Sequence, residues 1–307
     1  MAIENQGIPE RPPFRRGDRD SFDFSRQKKW NIPDTVIIKT AVVGRPPDRR
    51  GSPSTLDEII TQSMKCVDAG ACSLHFHAHG ETAADEAREF HRIVDPIREK
   101  YGNKVIFDCS LCTRPTFEDE LVLAKAGIAE LVPVNLSLQG QPQPMKLVQA
   151  EVQMLQENGI KPEIAIYCDG DIDRAKSWLI DTGICKKPGW WDLLPSYTPG
   201  STPMFDEFGM AESLMYQVRQ IRLIDPEAII MVAGCGRPSS SLIAMSILLG
   251  LHVKVGMEDV YFWWANKDDV MDDNVKNVAD TVTIASILGR RPATGNECRA
   301  LAGLQKR

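Results

Sequence analysis

The sequence predicts one closed (β/α)8 barrel preceded by an N-terminal arm. Between residues 36 and 256, eight short apolar or β-branched runs alternate with helical segments, which indicates βαβ units and a parallel sheet. The strand runs are continuously apolar, as expected when both faces of a sheet are covered. A doubly wound open sheet is the alternative, but the turn after the first strand reads GRPPD and lacks the glycine-rich pattern of that fold.

Each predicted strand is a run of apolar or β-branched residues, and each helix is a longer segment with 3.6-residue spacing. The strands are VIIKTAVV (36–43), CSLHFH (72–77), KVIFDCS (104–110), ELVPVN (130–135), EIAIYC (163–168), WWDLLP (190–195), AIIMVAG (228–234) and HVKVG (252–256). The helices are predicted at 55–70, 81–102, 116–127, 144–158, 171–182, 207–223, 239–249 and 270–289. In such a barrel, functional side chains lie at the C-terminal ends of the strands.

The first 34 residues are polar, rich in proline and glycine, and mixed in charge, so we assign 1–34 as an arm and 35–307 as the single catalytic domain. Two interpretations of the arm stay open. It is either a partly disordered tail or a segment that packs on a neighbouring subunit through its aromatic side chains. These side chains are Phe14, Phe22, Phe24 and Trp30.

Composition limits the class of protein. A net charge of −6 without a basic block argues against a nucleic-acid-binding surface. No apolar run approaches the roughly 20 residues that span a bilayer, and the N-terminus lacks the apolar core of a secretory signal. Eight scattered cysteines favour reduced thiols and a cytoplasmic enzyme over a disulfide framework.

The segment SLHFHAHG carries the strongest chemical signal. His75 and His77 alternate along a strand, so both can face the barrel mouth, where a pair of imidazoles is a common half of a zinc site. The remaining candidates fit poorly, because His91 falls in a helix and His252 begins the eighth strand at the opposite rim. The third ligand should therefore be a carboxylate or thiolate from another strand end, and the acids after the eighth strand, in VGMEDVYF, supply one.

Four blocks of the sequence together resemble the β-keto acid cleavage enzymes, typified by 3-keto-5-aminohexanoate cleavage enzyme. They are VIIKTAVVG, DAGACSLHFHAHG, VAGCGRPSSSLIAMSILLGLHVKVGMED and ILGRRPATGNECRALAGL. The paired H-x-H and G-x-E-D motifs are specific in combination. The resemblance begins at the first strand and continues to the C-terminus, where the last block is similar to the closing helix of the family.

The resemblance implies a zinc-dependent barrel, usually a homotetramer, that converts a β-keto acid and acetyl-CoA into acetoacetate and a new acyl-CoA. Zinc would be bound by His75, His77 and Glu258, and would polarise the keto oxygen. Asp259 would be the base that deprotonates the keto acid. Arg237 lies in a glycine-rich loop that opens a helix, a suitable place for a carboxylate or a CoA phosphate, although a purely structural loop arginine is the alternative.

The substrate-binding positions depart from the family pattern. His79 replaces an arginine, and Lys254 replaces another, so that a pair with Asp259 remains possible without the bidentate fork. Ser110 keeps a hydroxyl in the altered segment CSLCTRP, and Asn135 matches a polar position of the family. We therefore predict Asp259, Lys254 and Ser110 as catalytic residues, and His79 and Asn135 as substrate-binding residues.

Three further departures concern the substrate and the cysteines. Pro46 replaces the glutamate that recognises an amine, and Arg45 beside it favours a non-aminated substrate with an additional carboxylate. Val260 replaces an asparagine of the family. Cys109 and Cys112 form a C-x-x-C pair that could be redox-active or metal-binding, but without a second cysteine pair we interpret it as coincidental.

Three functions remain open at the level of sequence. The first is β-keto acid cleavage with acetyl-CoA. The second is a zinc hydrolase of a small anionic acid, such as an epoxide, in which Asp259 would activate water. The third is a non-catalytic metal-binding barrel, which the presence of an acid beside the metal ligands disfavours. No sequence feature predicts a nucleic-acid or membrane partner.

Overall fold

A computed structural model describes residues 24–197 and 199–305 of the chain. Its contacts divide the chain into two compact units that separate between Ile32 and Pro33. In the first unit, Phe24–Arg26 forms one turn of 3-10 helix. Phe14 and Phe22, two of the aromatic residues predicted to anchor the arm, lie outside the described residues, and the function of the arm stays a prediction.

The second unit is a closed barrel of eight parallel strands, which confirms the predicted fold. In chain order the strands are β1 (Ile38–Thr40), β2 (Ser73–Phe76), β3 (Ile106–Cys109), β4 (Leu131–Asn135), β5 (Lys161–Ile166), β6 (Trp190–Leu193), β7 (Ile229–Ala233) and β8 (His252–Val255). The barrel closes where β8 pairs with β1, with Lys254 beside Lys39.

The helices surround the barrel and bury one apolar stripe each against it. They are α1 (Leu56–Ala69), α2 (Ala83–Tyr101), α3 (Phe117–Lys125), α4 (Met145–Glu157), α5 (Asp169–Arg174), α6 (Glu207–Ile224), α7 (Ser239–Leu248), α8 (Asn274–Ile287) and α9 (Gly295–Ala302). No helix in the described part of the chain is both long enough and apolar enough to span a bilayer.

Helix starts follow the capping residues that the sequence supplies. Thr55 and Thr82 precede α1 and α2, and each accepts a hydrogen bond from the backbone three residues later while an acid at that position bonds back. These reciprocal bonds satisfy amide groups that a helix start otherwise leaves without partners. The same arrangement at Thr294 begins α9, which packs across the N-terminal end of the barrel.

Most predicted elements extend a few residues beyond the observed ones, and the fifth unit of the barrel shows a local reason. The fifth strand was expected to reach residue 168, but β5 ends at Ile166. Asp171 Oδ2 accepts hydrogen bonds from the backbone of Tyr167 and Cys168, so these residues form the cap of α5 instead of extending the strand. The helix of that unit continues beyond Arg174 as a π-helix, Ala175–Ile180.

A short hairpin after β4 pairs Ser137–Leu138 with Gln141–Pro142.

Candidate metal centre and active site

The first histidine is held by the neighbouring strand. His75 lies in β2 directly beside Asp108 of β3. His75 Nδ1 donates to Asp108 Oδ2 over 2.7 Å, because a carboxylate can only accept. The proton therefore lies on Nδ1, and the lone pair of Nε2 faces the barrel mouth. Burial lowers the pKa of His75, which keeps the imidazole in the neutral form that binds a metal.

Three ligand atoms converge on one point at the C-terminal rim. The His75 Nε2 and His77 Nε2 atoms are 3.1 Å apart, and Glu258 Oε1 lies 3.3 Å from His77 Nε2. Glu258 Oε2 lies 3.5 Å from His75 Nε2. A tetrahedral zinc ion with bonds of about 2.0–2.1 Å requires ligand separations of roughly 3.3 Å. His75, His77 and Glu258, which we call the metal triad, therefore fit a zinc ion in donor type and in spacing.

The triad is closed on one side and open on the other. The side chains of His75 and Glu258 are 4% and 7% exposed, whereas that of His77 is 40% exposed. An ion bound here would thus keep a face toward a ligand from solution, as catalytic zinc sites do. Despite burial, the nearby Lys254, His75 and His77 hold the pKa of Glu258 well below its usual range, so it is a carboxylate.

A tight turn brings Glu258 to the histidines. Gly256 follows β8 with a φ of 106°, and a Cβ atom there would lie 2.3 Å from the Ala41 carbonyl oxygen. Only glycine allows this approach. The turn is fixed by Asn274 at the start of α8, which accepts from Met257 N and donates to the Val42 carbonyl. The turn after β8 therefore places Glu258 next to β1 and β2.

The two residues predicted as base and partner form a buried ion pair. Lys254 Nζ lies 3.0 Å from Asp259 Oδ2 and 3.7 Å from Glu258 Oε2. Burial and the charge of Glu258 raise the pKa of Asp259, against the opposing effect of Lys254. Asp259 Oδ1 has no hydrogen-bond partner among the described residues. Asp259 is therefore a more basic carboxylate than an exposed aspartate.

Two adjoining cavities meet at the metal triad. The first has a volume of about 280 Å³ and contains the triad together with Ser110 and Asn135. The second, of about 330 Å³, is lined by Asp259 and by Arg49. The two cavities share three lining residues, Arg45, Tyr197 and Glu258. A ligand at the triad can therefore contact residues of both cavities.

The predicted polar residues of the first cavity occupy distinct places around the triad. Ser110 Oγ lies 3.5 Å from His77 Nε2. Asn135 Oδ1 accepts a hydrogen bond from the Tyr167 hydroxyl over 3.0 Å. Arg45 Nη2 donates to Glu258 Oε1 over 2.7 Å, and its guanidinium lies 5.3 Å from the centre of the Tyr197 ring. Arg45 thus brings a positive charge to the boundary between the cavities.

The structure does not bring His79 and Arg237 to the first cavity. Strand β2 ends at Phe76, so the alternation that orients His75 and His77 no longer applies to His79, which is exposed. Arg237 donates to Asp268 over 2.9 Å, and its guanidinium lies 3.5 Å from the centre of the Phe262 ring. Arg237 also lines a separate cavity, and its binding of a carboxylate or a CoA phosphate stays a prediction beside the alternative of a structural loop arginine.

Sequence reasoning missed the charged layer beneath the triad. Lys39 Nζ bridges Glu163 Oε1 at 2.5 Å and Asp108 Oδ2 at 2.8 Å across the barrel interior. Asp192 of β6 lines the first cavity, and burial raises its pKa to about 6. Lys39, Asp108 and Asp192 each interrupt an apolar strand run, and a charge inside such a run could have indicated the barrel interior.

Two known proteins are similar to this chain over most of its length. The 3-keto-5-aminohexanoate cleavage enzyme of Fusobacterium nucleatum is 25% identical over 290 residues, which cover 89% of this chain and 99% of that protein. The 3-oxoadipate:acetyl-CoA acetyltransferase of Cupriavidus necator is 26% identical over 283 residues, which cover 87% and 94%.

A solved structure of ObcA shares the fold, with a TM-score of 0.64 and 16% identity over 83% of this chain and 66% of ObcA. This chain thus spans about two thirds of the length of ObcA. The family model of the beta-keto acid cleavage enzymes matches residues 35–304. This match covers the whole barrel, including every member of the metal triad. The chain belongs to the β-keto acid cleavage enzyme family.

Proposed function

We propose that this protein is a zinc-dependent enzyme that converts a β-keto acid and acetyl-CoA into acetoacetate and a new acyl-CoA. The keto acid is non-aminated and carries an additional anionic group. The family supports the reaction class, as do relatives named as a 3-keto-5-aminohexanoate cleavage enzyme and a 3-oxoadipate:acetyl-CoA acetyltransferase. The observation that carries the proposal is the metal triad, in which the two Nε2 atoms are 3.1 Å apart and each lies 3.3–3.5 Å from one Glu258 oxygen, beside a basic carboxylate.

The metal triad fits Zn²⁺, which when bound would supply Lewis acidity toward the keto oxygen of the substrate. Asp259 takes the proton from the carbon between the keto and carboxylate groups. Its raised pKa suits this role, because a stronger base removes a carbon-bound proton more readily. Lys254 stays cationic beside Asp259 and Glu258 despite its burial, so it orients the base and balances the charge.

Arg45 supports the choice of an anionic substrate. Its side chain is 51% exposed and lines both cavities, so it can reach a ligand at the triad. A guanidinium pairs with a carboxylate through two hydrogen bonds and repels an ammonium group. The position therefore selects a second carboxylate on the keto acid and disfavours an amine. Ser110 and Asn135 provide hydroxyl and amide groups for the other polar atoms of the substrate.

The oligomer and the location of the protein belong to the same proposal. The resemblance to the family implies a homotetramer, and we propose that this protein is a homotetramer. The eight cysteines of the described chain are all free thiols, which supports a reducing, cytoplasmic compartment.

The decisive assay follows the acetyl carbons. Acetyl-CoA labelled with ¹³C in the acetyl group is incubated with zinc-loaded protein and a panel of β-keto acids with one or two carboxylates, or with an amine. The proposal predicts labelled acetoacetate and an unlabelled acyl-CoA derived from the keto acid, both measured by mass spectrometry. Dicarboxylic keto acids are expected to react fastest, and Arg45→Ala should reduce that preference.

The control substrates separate the remaining functions. Turnover of a small anionic epoxide or lactone without acetyl-CoA, together with no labelled acetoacetate, would replace the proposal with zinc hydrolysis. Absence of turnover with every substrate, in protein that retains zinc, would favour a non-catalytic barrel. The variant His91→Ala is the matched control for histidine loss, since His91 contacts Asp95 and the Ala126 carbonyl outside both cavities.

A further inference from the structure

A second cluster of metal-binding side chains lies outside both cavities. Cys112 follows β3, Glu120 lies in α3 and Glu151 lies in α4. Their ligand atoms lie within 4.8 Å of one another. We call these three residues the Cys112 cluster. None of them lines either cavity at the metal triad, so the cluster is separate from the proposed active site.

The Cys112 cluster is buried without a positive charge. The three residues are 9%, 3% and 5% exposed in chain order. Neither glutamate forms an ion pair within the described part of the chain, and Glu120 Oε2 is buried without a hydrogen-bond partner there. Arg114, in the same loop, donates a backbone N–H to the Glu120 carboxylate. Its guanidinium is directed away from the cluster and donates to Glu86 Oε2 at 3.1 Å and to the Gly80 carbonyl.

The electrostatics of the Cys112 cluster favour a cation. Burial raises the pKa of Glu151 to about 8 and that of Glu120 to about 7, and burial also raises the pKa of the Cys112 thiol. Removing acidic groups from water is unfavourable unless they are paired or coordinate a metal. A divalent ion would bind both carboxylates and the thiolate, and the protons held by the thiol and by the two carboxyl groups would be released to solvent.

We propose that Cys112, Glu120 and Glu151 form a second divalent-cation site that takes Zn²⁺ or a similar borderline-soft ion. One thiolate and two carboxylates match the ligand types that such ions accept. The site is structural. Ser110 and Thr113 stand on either side of Cys112 in sequence and line the first cavity, so an ion on Cys112 fixes the loop that presents them.

The proposal assigns different roles to the two cysteines of the C-x-x-C pair. Both cysteines belong to the main apolar core, but Cys109 is the last residue of β3, is completely buried and is not part of the Cys112 cluster. Cys112, three residues later, directs its sulfur toward the two glutamates. Cys109 is therefore a core residue and a matched control for the removal of one buried thiol from the same segment.

The experiment measures metal content and sulfur ligation. Full-length protein is loaded with Zn²⁺, freed of excess ion, and analysed by inductively coupled plasma mass spectrometry. We expect two ions per chain in the unaltered protein and in Cys109→Ser, and one in Cys112→Ser and in Glu151→Gln. With Cd²⁺ as the probe, an ultraviolet thiolate-to-metal band should appear in the unaltered protein and in His75→Ala/His77→Ala, but not in Cys112→Ser.

If Cys112→Ser fails to fold, the conservative variant Glu151→Gln still tests the site. Circular dichroism shows whether each variant is folded. Equal metal content in the unaltered protein and in folded Glu151→Gln would overturn the proposal. So would a cadmium band that persists without Cys112. Loss of the band in Cys109→Ser but not in Cys112→Ser would show that Cys109 is the sulfur ligand, which would also contradict the proposal. Because the readouts are metal content and absorbance, they do not depend on the proposed activity.

Discussion

The two ends of the barrel differ in how fully their buried carboxylates are hydrogen-bonded. At the N-terminal end, α9 places Arg299 against Glu130, with Nε 2.6 Å from Oε1 and Nη2 2.9 Å from Oε2. The other guanidinium bonds reach the carbonyls of Asn103 and Val105. At the C-terminal end, Asp259 and Asp192 each leave a carboxylate oxygen without a hydrogen-bond partner among the described residues.

This difference separates stability from function. A bidentate pair with further carbonyl bonds stabilises one arrangement, and its surroundings are apolar: Ile37, Ile106 and Trp190 pack beneath Cys298 of α9. Carboxylates that face a cavity and have oxygens without hydrogen-bond partners are available to bind a ligand. Without a ligand, their burial lowers the stability of the folded protein. We therefore expect changes at the C-terminal end to reduce activity and metal content, and changes at the N-terminal end to reduce the free energy of unfolding.

The largest effect is expected from removing a metal ligand. In Glu258→Gln and in His75→Ala, the ion loses one of three protein ligands, and acetyl transfer should fall below detection because the Lewis acid is lost. Zinc content and the labelled-acetoacetate assay measure the two consequences. A variant that loses its zinc from the triad but retains full activity would contradict the assignment. His91→Ala should leave both quantities unchanged.

The next largest effect is expected from the base. Asp259→Asn keeps the shape of the side chain but removes its basicity, so kcat should fall by about 10²- to 10⁴-fold, the usual contribution of a general base. Zinc content should stay unchanged, which distinguishes this variant from the ligand variants. Asp280→Asn, which changes an exposed acid of α8 paired with Lys276, is the control and should be fully active. Equal activity of the two variants would remove Asp259 from the mechanism.

The N-terminal end supplies the opposite test. Arg299→Ala leaves Glu130 buried without its bidentate partner, so the free energy of unfolding should decrease by about 3–5 kcal/mol. Turnover per folded molecule should be unchanged. The matched control is Arg291→Ala, which breaks an exposed pair with Glu297, where the side chains are 58% and 37% exposed. It should decrease the free energy of unfolding far less, because solvent screens an exposed pair. Urea denaturation measures both, and similar losses would contradict the comparison.

A smaller effect is expected where the charged layer supports the metal. Asp108→Asn weakens the bond that fixes the His75 tautomer, so zinc affinity should decrease by about 10- to 100-fold, as when a carboxylate partner of a metal-binding histidine is lost. Competition with a chromophoric chelator measures the change. An unaltered affinity would show that Asp108 serves only the ion pair with Lys39.

The sequence predicted the C-terminal end in part, for physical reasons. His75 and His77 were found because alternation in a strand fixes the direction of both side chains. Glu258 was expected on the same rim because β8 must close beside β1. His79 and Arg237 lie in loops, where no such period fixes direction, and neither reaches the first cavity.

Other features depended on contacts between distant strands. The bond of Asp108 to His75 requires the register of β2 and β3, and the bridge from Lys39 to Glu163 requires the closed barrel. Neither contact was predicted, because the sequence does not show which charged residues of separate strands face each other in the barrel interior. The different surroundings of Cys109 and Cys112 could not be predicted either. They depend on how α3 and α4 pack, and sequence spacing alone does not show which thiol faces the glutamates.

We expect one ion to be bound by two imidazoles and one carboxylate at the C-terminal end of the barrel. Anomalous diffraction at the zinc edge, from crystals of the zinc-loaded protein, tests it directly. We expect a peak about 2.0–2.2 Å from His75 Nε2, His77 Nε2 and a Glu258 oxygen. Crystals with no anomalous peak among these three side chains, in protein active in the labelled-acetyl assay, would contradict the account.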